Sequence, residues 1–314
     1  MCDRGPRFDA AVPRDGYAWW YVDALSDDGA HALTVIAFIG SVFSPYYAAA
    51  RRCGDGDPAN HCAVNVVLYG PRGKYWALTE RRKTALSQST HRLGIGSSAL
   101  SWDGDGLTID IDELTVPRLA RLNGRIKLRS DYITSCITAL DGEGRHTWWP
   151  IAPSARVEIE MQRPALRWTG SGYFDCNAGS RPLERDFTAW TWSRAALSNG
   201  AGVLYDATRR DGSELSLAYR FDNKSGRADV FTAPPTVSLP PTGWRISRST
   251  PSEDASQTRV IKTLEDTPFY ARSLVATRLQ GETVQAVHES LSLDRFERRW
   301  VQTLLPFRMP RALF

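Results

Sequence analysis

Apolar and polar residues alternate along most of this chain with a period of two, which suits extended backbone and not helix. Leu107, Ile109 and Ile111 interleave with Thr108, Asp110 and Asp112. Arg125–Arg129 and Ala155–Met161 repeat the pattern, so all three read as half-buried strands with a solvated charged face. Tyr17–Asp23 is aromatic and β-prone, and Leu33–Ile39 is almost continuously apolar, as a strand buried on both faces would be. The pattern alone leaves a helix open for the second of these. Ser44-Pro45-Tyr46-Tyr47 breaks the strand, Ala48–Arg52 suits a short helix, and Gly54–Pro58 is loop. Further strands are expected at Ala63–Tyr69, Tyr75–Arg81, His91–Ile95 and Ala99–Trp102. Beyond the midpoint they are expected at Leu166–Thr169, Gly172–Cys176, Phe187–Ser193, Gly202–Arg209 and Glu214–Phe221. Ala228–Phe231, Trp244–Ser247, Arg259–Glu265, Ala271–Leu279 and Val284–Leu293 complete the set. Pro234, Pro235, Pro240 and Pro241 mark an extended loop, because proline cannot donate within a central ladder.

Roughly sixteen to eighteen strands with few helical patterns predict an all-β protein of sandwich or barrel type. One barrel of that size would be a porin-like tube, and the chain lacks a lipid-facing signature. Two tandem barrels fit better. The break is expected in the proline-flanked region between Pro150 and Pro164, giving domains 1–160 and 161–314 with a pocket at or near their interface.

At 314 residues the chain can bury a substantial core, and 11 Trp, 11 Tyr and 11 Phe suit apolar-ligand pockets. A net charge of +4 amounts to a few extra arginines, and nucleic acid is not expected as a partner. Cys2, Cys53, Cys62, Cys136 and Cys176 are odd in number without a paired framework, which suggests free thiols in a reducing compartment. Cys53, His61 and Cys62 form at most half a metal site, so no metal is expected. Met1–Val12 is polar and reads as no secretory signal, and the apolar run Ala32–Phe43 is short of the ~20 residues a spanning helix requires. A cytoplasmic location is expected. The tail Phe296–Arg311 mixes basic, aromatic and apolar residues, and packs on its domain or rests on an anionic bilayer. Nucleophile-elbow, zinc-protease and Walker motifs are missing from the sequence.

Two pairs at spacing i, i+2 stand out: His146 with Trp148, and Tyr173 with Asp175. On strands, each pair offers a polar and an aromatic group to one side. A carboxyl, an imidazole, a phenol and an indole would then converge in one apolar pocket. Such a site suits protonating a greasy substrate and sheltering the resulting cation.

Several longer stretches carry a resemblance. They are Tyr17–Gly29, Phe38–Tyr47, His146–Pro153, Gly172–Gly179, Glu184–Trp192 and Val203–Asp206. In order and spacing the chain resembles the bacterial acyclic carotenoid 1,2-hydratases, or hydroxyneurosporene synthases, of purple phototrophs. The resemblance implies a double lipocalin-like (calycin) architecture. It also implies cofactor-independent Markovnikov addition of water across the C1=C2 bond of lycopene, neurosporene or a derivative, giving tertiary 1-hydroxy carotenoids. The family's essential residues then fall on His146, Trp148, Tyr173 and Asp175. Asp175 is expected as the acid, kept protonated by an apolar pocket. Trp148 would face the cation, Tyr173 would orient the proton or the water, and His146 would take the water's proton. Trp19, Trp20, Tyr21, Phe38, Phe43, Tyr46, Tyr47 and Trp149 are expected to line the polyene channel. Peripheral contact with the cytoplasmic face of the photosynthetic membrane would bring the substrate. The same pocket would also serve a non-catalytic carotenoid or lipid carrier, or a pericyclase-type (Diels–Alder) enzyme.

Overall fold

The structure is a computed structural model that describes residues 5–312. Strands dominate, as the alternation predicts, and the chain divides into two compact units: Met1–Pro182 with Thr303–Phe314, and Leu183–Gln302.

The first unit contains β1 (Tyr17–Ser26), β2 (Ala32–Ile39), β3 (Cys62–Gly70), β4 (Gly73–Arg81), β5 (Leu86–Ser89) and β6 (Arg92–Ile95). It continues with β7 (Ser98–Trp102), β8 (Gly106–Leu114), β9 (Arg121–Arg129), β10 (Thr138–Ala139), β11 (His146–Arg163) and β12 (Ala165–Gly179). They form one antiparallel sheet in the order β4-β3-β2-β1-β12-β11-β9-β8-β7-β6-β5, with β10 paired to β11. The sheet nearly closes into a barrel. Ala77 in β4 bridges Thr115 just beyond β8, and Val116 N–H donates to the Trp76 carbonyl at 2.9 Å. The interior is filled by alternate residues from around the ring, among them Trp20, Val22, Val35, Val66, Ile109, Ile126, Val157 and Phe174. Asp110 and Asp112 point outward and pair with Arg125 and Arg121, the solvated face read from the pattern.

A short helix, α1 (Pro45–Arg52), is capped by the Ser44 hydroxyl, which accepts from the Tyr46 and Tyr47 N–H groups. The end of the chain is stitched to the β4 edge. Glu80 N–H donates to the Pro310 carbonyl, and Ala312 N–H donates to that of Glu80. Arg311 donates to the buried Glu80 carboxylate at 2.6 Å, and His61 Nδ1 lies 2.9 Å from the same oxygen.

The second unit holds a seven-stranded antiparallel sheet. Its strands are β13 (Phe187–Leu197), β14 (Gly200–Arg209), β15 (Glu214–Asp222), β16 (Ala228–Val230), β19 (Arg259–Asp266), β20 (Tyr270–Leu279) and β21 (Glu282–Ser292). β17 (Thr236–Leu239) and β18 (Arg248–Pro251) form a separate ribbon. The order is β16-β15-β14-β13-β21-β20-β19, and among the described residues no pairing joins its two edges, where the sequence reading expected a second barrel. Helices α2 (Leu293–Phe296) and α3 (Arg299–Leu304) follow, and the division between units passes through α3.

Three expectations need correction. Residue 160 lies inside β11, which pairs with β12 without interruption from Ala155 to Gln162, so the compact units part at Pro182. Of the prolines taken for a linker, Pro150 and Pro153 coincide with register shifts between Trp149 and Ala155, where bulges relieve the missing donors, and Pro164 sits in the turn between β11 and β12. Leu166–Thr169 and Gly172–Cys176 are one strand, because Gly170 and Gly172 are needed for close approach. A Cβ on them would lie 1.9 Å from the Leu25 carbonyl oxygen and 2.4 Å from Val157 Cγ1. Finally, Trp244–Ser247 is turn and irregular chain, with Arg245 at φ 59°, and the strand begins at Arg248.

Candidate active site

β1, β12 and β11 lie side by side, and their register assembles the site. Tyr17, Trp19, Tyr21 and Asp23 stand opposite Gly179, Asn177, Asp175 and Tyr173. From the other side, His146 and Trp148 stand opposite Gly179 and Asn177. Cross-strand partners share a face, so these residues point the same way. That face is the one turned away from the filled barrel interior.

Both i, i+2 pairs are brought together. Trp148 Nε1 donates to Asp175 Oδ2 at 2.9 Å, and the Tyr173 hydroxyl donates to the same oxygen at 2.8 Å. Asp175 is 4% exposed, and His146, Trp148 and Tyr173 are fully buried. Burial, reinforced by the neighbouring Asp175, raises the Tyr173 phenol well above its ordinary range, so it remains a donor. His146 Nδ1 lies 2.9 Å from the Tyr17 hydroxyl, with the two rings stacked at 5.8 Å. The His146 backbone N–H donates to Asp141 Oδ1 at 2.8 Å, tying down the start of β11. Gly179 makes room for this pair: a Cβ there would lie 2.4 Å from Tyr17 Cε1 and 2.7 Å from His146 Nδ1.

The expected channel residues divide. Trp19 stacks on Tyr17 at 4.9 Å and meets Phe38, which meets Phe43 edge-on at 6.5 Å. Tyr21 packs edge-on against Tyr173 at 6.1 Å. These four belong to the face of the acid or adjoin it. Trp20 and Trp149 do not. Strand alternation turns them inward, where Trp20 packs on Phe8 and Trp149 donates to the Thr134 carbonyl. Tyr47 stacks on His61 and spends its hydroxyl on the Gly16 carbonyl at 2.7 Å, while Tyr46 carries the Arg311 guanidinium over its ring. Neither is brought to Asp175 by any hydrogen bond or ring contact seen here.

Sequence reasoning missed Tyr17, Asp23, Asp141 and Asn177. Tyr17, Asp23 and Asn177 carried a usable signal: each continues a period-two series already marked by Tyr21 or by Tyr173 and Asp175. Asp141 had none, because its role depends on a turn closing onto His146.

The Cys53–His61–Cys62 cluster is structural. Cys53 is exposed, His61 sits on Glu80, and Cys62 donates to the Ala59 carbonyl. Burial raises the Cys62 thiol to about 12, far from the thiolate a metal requires. Among the described residues, no group of three or more His, Cys, Asp or Glu is arranged to hold a metal ion.

Comparison with known proteins places this geometry in context. A family model described as carotenoid hydratase CrtC matches residues 35–313. The acyclic carotenoid 1,2-hydratase of Thiocapsa roseopersicina is 58% identical over 310 residues, covering 98% of this chain and 76% of that protein. The protein of the same name from Rubrivivax gelatinosus is 47% identical over 309 residues, again 98% of this chain and 76% of the other. Among solved structures, a protein assigned as AttH from Nitrosomonas europaea aligns with a TM-score of 0.57 at 16% identity, covering 92% of this chain and 99% of that one. That likeness concerns the fold alone and supports its lipocalin-like character.

Proposed function

The chain belongs to the carotenoid hydratase CrtC family, and from that premise we propose how its residues add water to an acyclic carotenoid. The substrate end is a trisubstituted alkene. Protonation at C2 leaves a tertiary cation at C1, which water captures. The demanding requirement is an acid that is neutral beforehand yet stable as an anion afterwards.

Asp175 answers both demands. In this scheme Asp175 enters the reaction as the neutral acid, in a site 4% exposed. Its two donors both address Oδ2, which leaves Oδ1 to carry the proton. As the proton leaves, Trp148 N–H and Tyr173 O–H already point at the forming anion, and hydrogen bonds to a charged acceptor contribute roughly 1.5–3 kcal/mol each. The shared acceptor oxygen is the observation that carries the reading. The aromatic faces of Trp148 and Trp19 shelter the cation, at roughly 0.5–2 kcal/mol. His146 takes the proton that water loses. Doing so at Nε2 requires its resting proton on Nδ1, donated to the Tyr17 oxygen. The balance closes with water alone: Asp175 gives one proton to C2, hydroxyl goes to C1, and the proton that His146 took from water is passed through solvent back to the Asp175 carboxylate. No redox partner or cofactor enters.

Incubating the protein with lycopene in H2(18)O tests the scheme. Label in a tertiary hydroxyl is expected. Bound but unchanged pigment would favour a carrier instead. Asp175→Asn is expected to abolish turnover while pigment binding persists, and retained turnover would remove Asp175 from the role.

The substrate lives in bilayers, and the protein meets it at an anionic membrane surface. No helix among the described residues is long and apolar enough to cross a membrane. Support for surface contact comes from Trp300 and Leu304, four apart on α3, and from Phe307 one turn later. All three are exposed, Phe307 to 73%, beside the exposed Arg298 and Arg299. Free thiols at Cys53, Cys62, Cys136 and Cys176 support the cytoplasmic side.

A further inference from the structure

Asn177 is a polar side chain of this face that the scheme above leaves unused. It is 3% exposed, and among the described residues no group accepts a hydrogen bond from its Nδ2. Buried amide donors are almost always satisfied, so one left open beside a reaction centre points to a ligand atom that completes it. Its place is central. It lies two residues from Asp175 on the same face of β12, opposite Trp19 on one side and Trp148 on the other.

We propose that Asn177 Nδ2 donates to the oxygen of the water that attacks C1, and to the same oxygen in the tertiary alcohol formed from it. This rests on the hydration reading and adds the missing holder of the nucleophile. Spacing supports the assignment. Residues i and i+2 on a strand are about 7 Å apart. An acid contacting C2 and a water contacting C1 each need about 3–3.5 Å of approach across one short double bond, which is a matching span. The chemistry of the side chain fits as well. An amide neither titrates nor protonates the alkene, and it adds no negative charge next to Asp175. Donating into one lone pair of the water leaves another aimed at C1, while His146 accepts a proton from its far side. The water's oxygen forms the C1–O bond, one O–H bond breaks, and its electron pair remains on oxygen.

Without that hold, the cation still forms but is captured poorly. It then returns the proton, either from C2 or from a methyl, to the Asp175 carboxylate. In D2O this futile return writes deuterium into recovered substrate. The test therefore runs the full chain with lycopene in D2O and measures two products, hydrated carotenoid and deuterated lycopene. Wild type is expected to give mainly hydrated product with deuterium at C2. Asn177→Leu, which is close in size and cannot donate, is expected to lower hydration about 10- to 100-fold and to raise exchange relative to hydration at least tenfold. Asn177→Asp keeps the shape and replaces the donor by an acceptor, and is expected to raise the ratio too; it serves if the Leu variant does not fold. An unchanged ratio in whichever variants fold overturns the assignment of Asn177. Wild-type product without deuterium at C2 overturns the acid scheme itself, a separate outcome.

Discussion

Asp175 has two donors on a single oxygen, and each donor can be removed alone. Tyr173→Phe and Trp148→Phe are each expected to lower kcat by about 10- to 150-fold, the equivalent of one hydrogen bond to a charged group. Because both bond the same atom, the double variant is expected to lose less than the product of the two, as steady-state kinetics on the three variants would measure. A second residue-scale prediction concerns His288, whose Nε2 lies 2.8 Å from the Ser249 carbonyl. Burial lowers this imidazole from 6.5 to about 4. The unfolded chain therefore takes up a proton that the fold refuses. Its contribution to stability is complete above pH 6.5 and is lost as pH falls from 6.5 towards 4, by about 3 kcal/mol in all. Urea unfolding between these pH values is expected to show that slope, and His288→Gln to flatten it. The i, i+2 pairs were legible in the sequence because strand periodicity is local. Tyr17 continued the same period-two series and could have been singled out, but its contact with His146 depends on strand register, while Asp141 is placed only by a turn.

At the scale of elements, β11 and β12 carry most of the proposed site, and the glycines of β12 set how closely its side chains approach. Gly179→Ala would drive a methyl into Tyr17 and His146, so activity is expected to fall by at least tenfold while urea unfolding changes less than for a core cavity. The closing segment makes the opposite prediction. Arg311 pairs with a fully buried Glu80, and Arg311→Ala leaves that carboxylate with His61 as its remaining side-chain partner. A loss of about 3–5 kcal/mol in denaturant unfolding is expected, with kcat unchanged in the molecules that remain folded. The strands themselves were readable from alternation, as Leu107–Ile111 and Arg125–Arg129 illustrate. β12 was misread as two because glycine in a strand looks like a break until the neighbouring Leu25 backbone is in view. The prolines at 150 and 153 look like a linker until bulges absorb them.

For the molecule as a whole, the expected all-β architecture holds, while the partition at 160 did not anticipate a strand pair running past it. Membrane contact belongs to this scale. Replacing Trp300 and Phe307 together by Ser is expected to reduce co-sedimentation with phosphatidylglycerol vesicles and leave turnover of detergent-dispersed lycopene intact. Equal binding by wild type and variant would send the search for a docking surface elsewhere. Placing the proposed chemistry on the outer face of a filled barrel wall separates two traits. Heat tolerance and pigment choice are written on alternate letters of the same strands. Along β1, breeding for the first would work through Trp20 and Val22, and breeding for the second through Trp19 and Tyr21, so each trait is free to drift without dragging the other along.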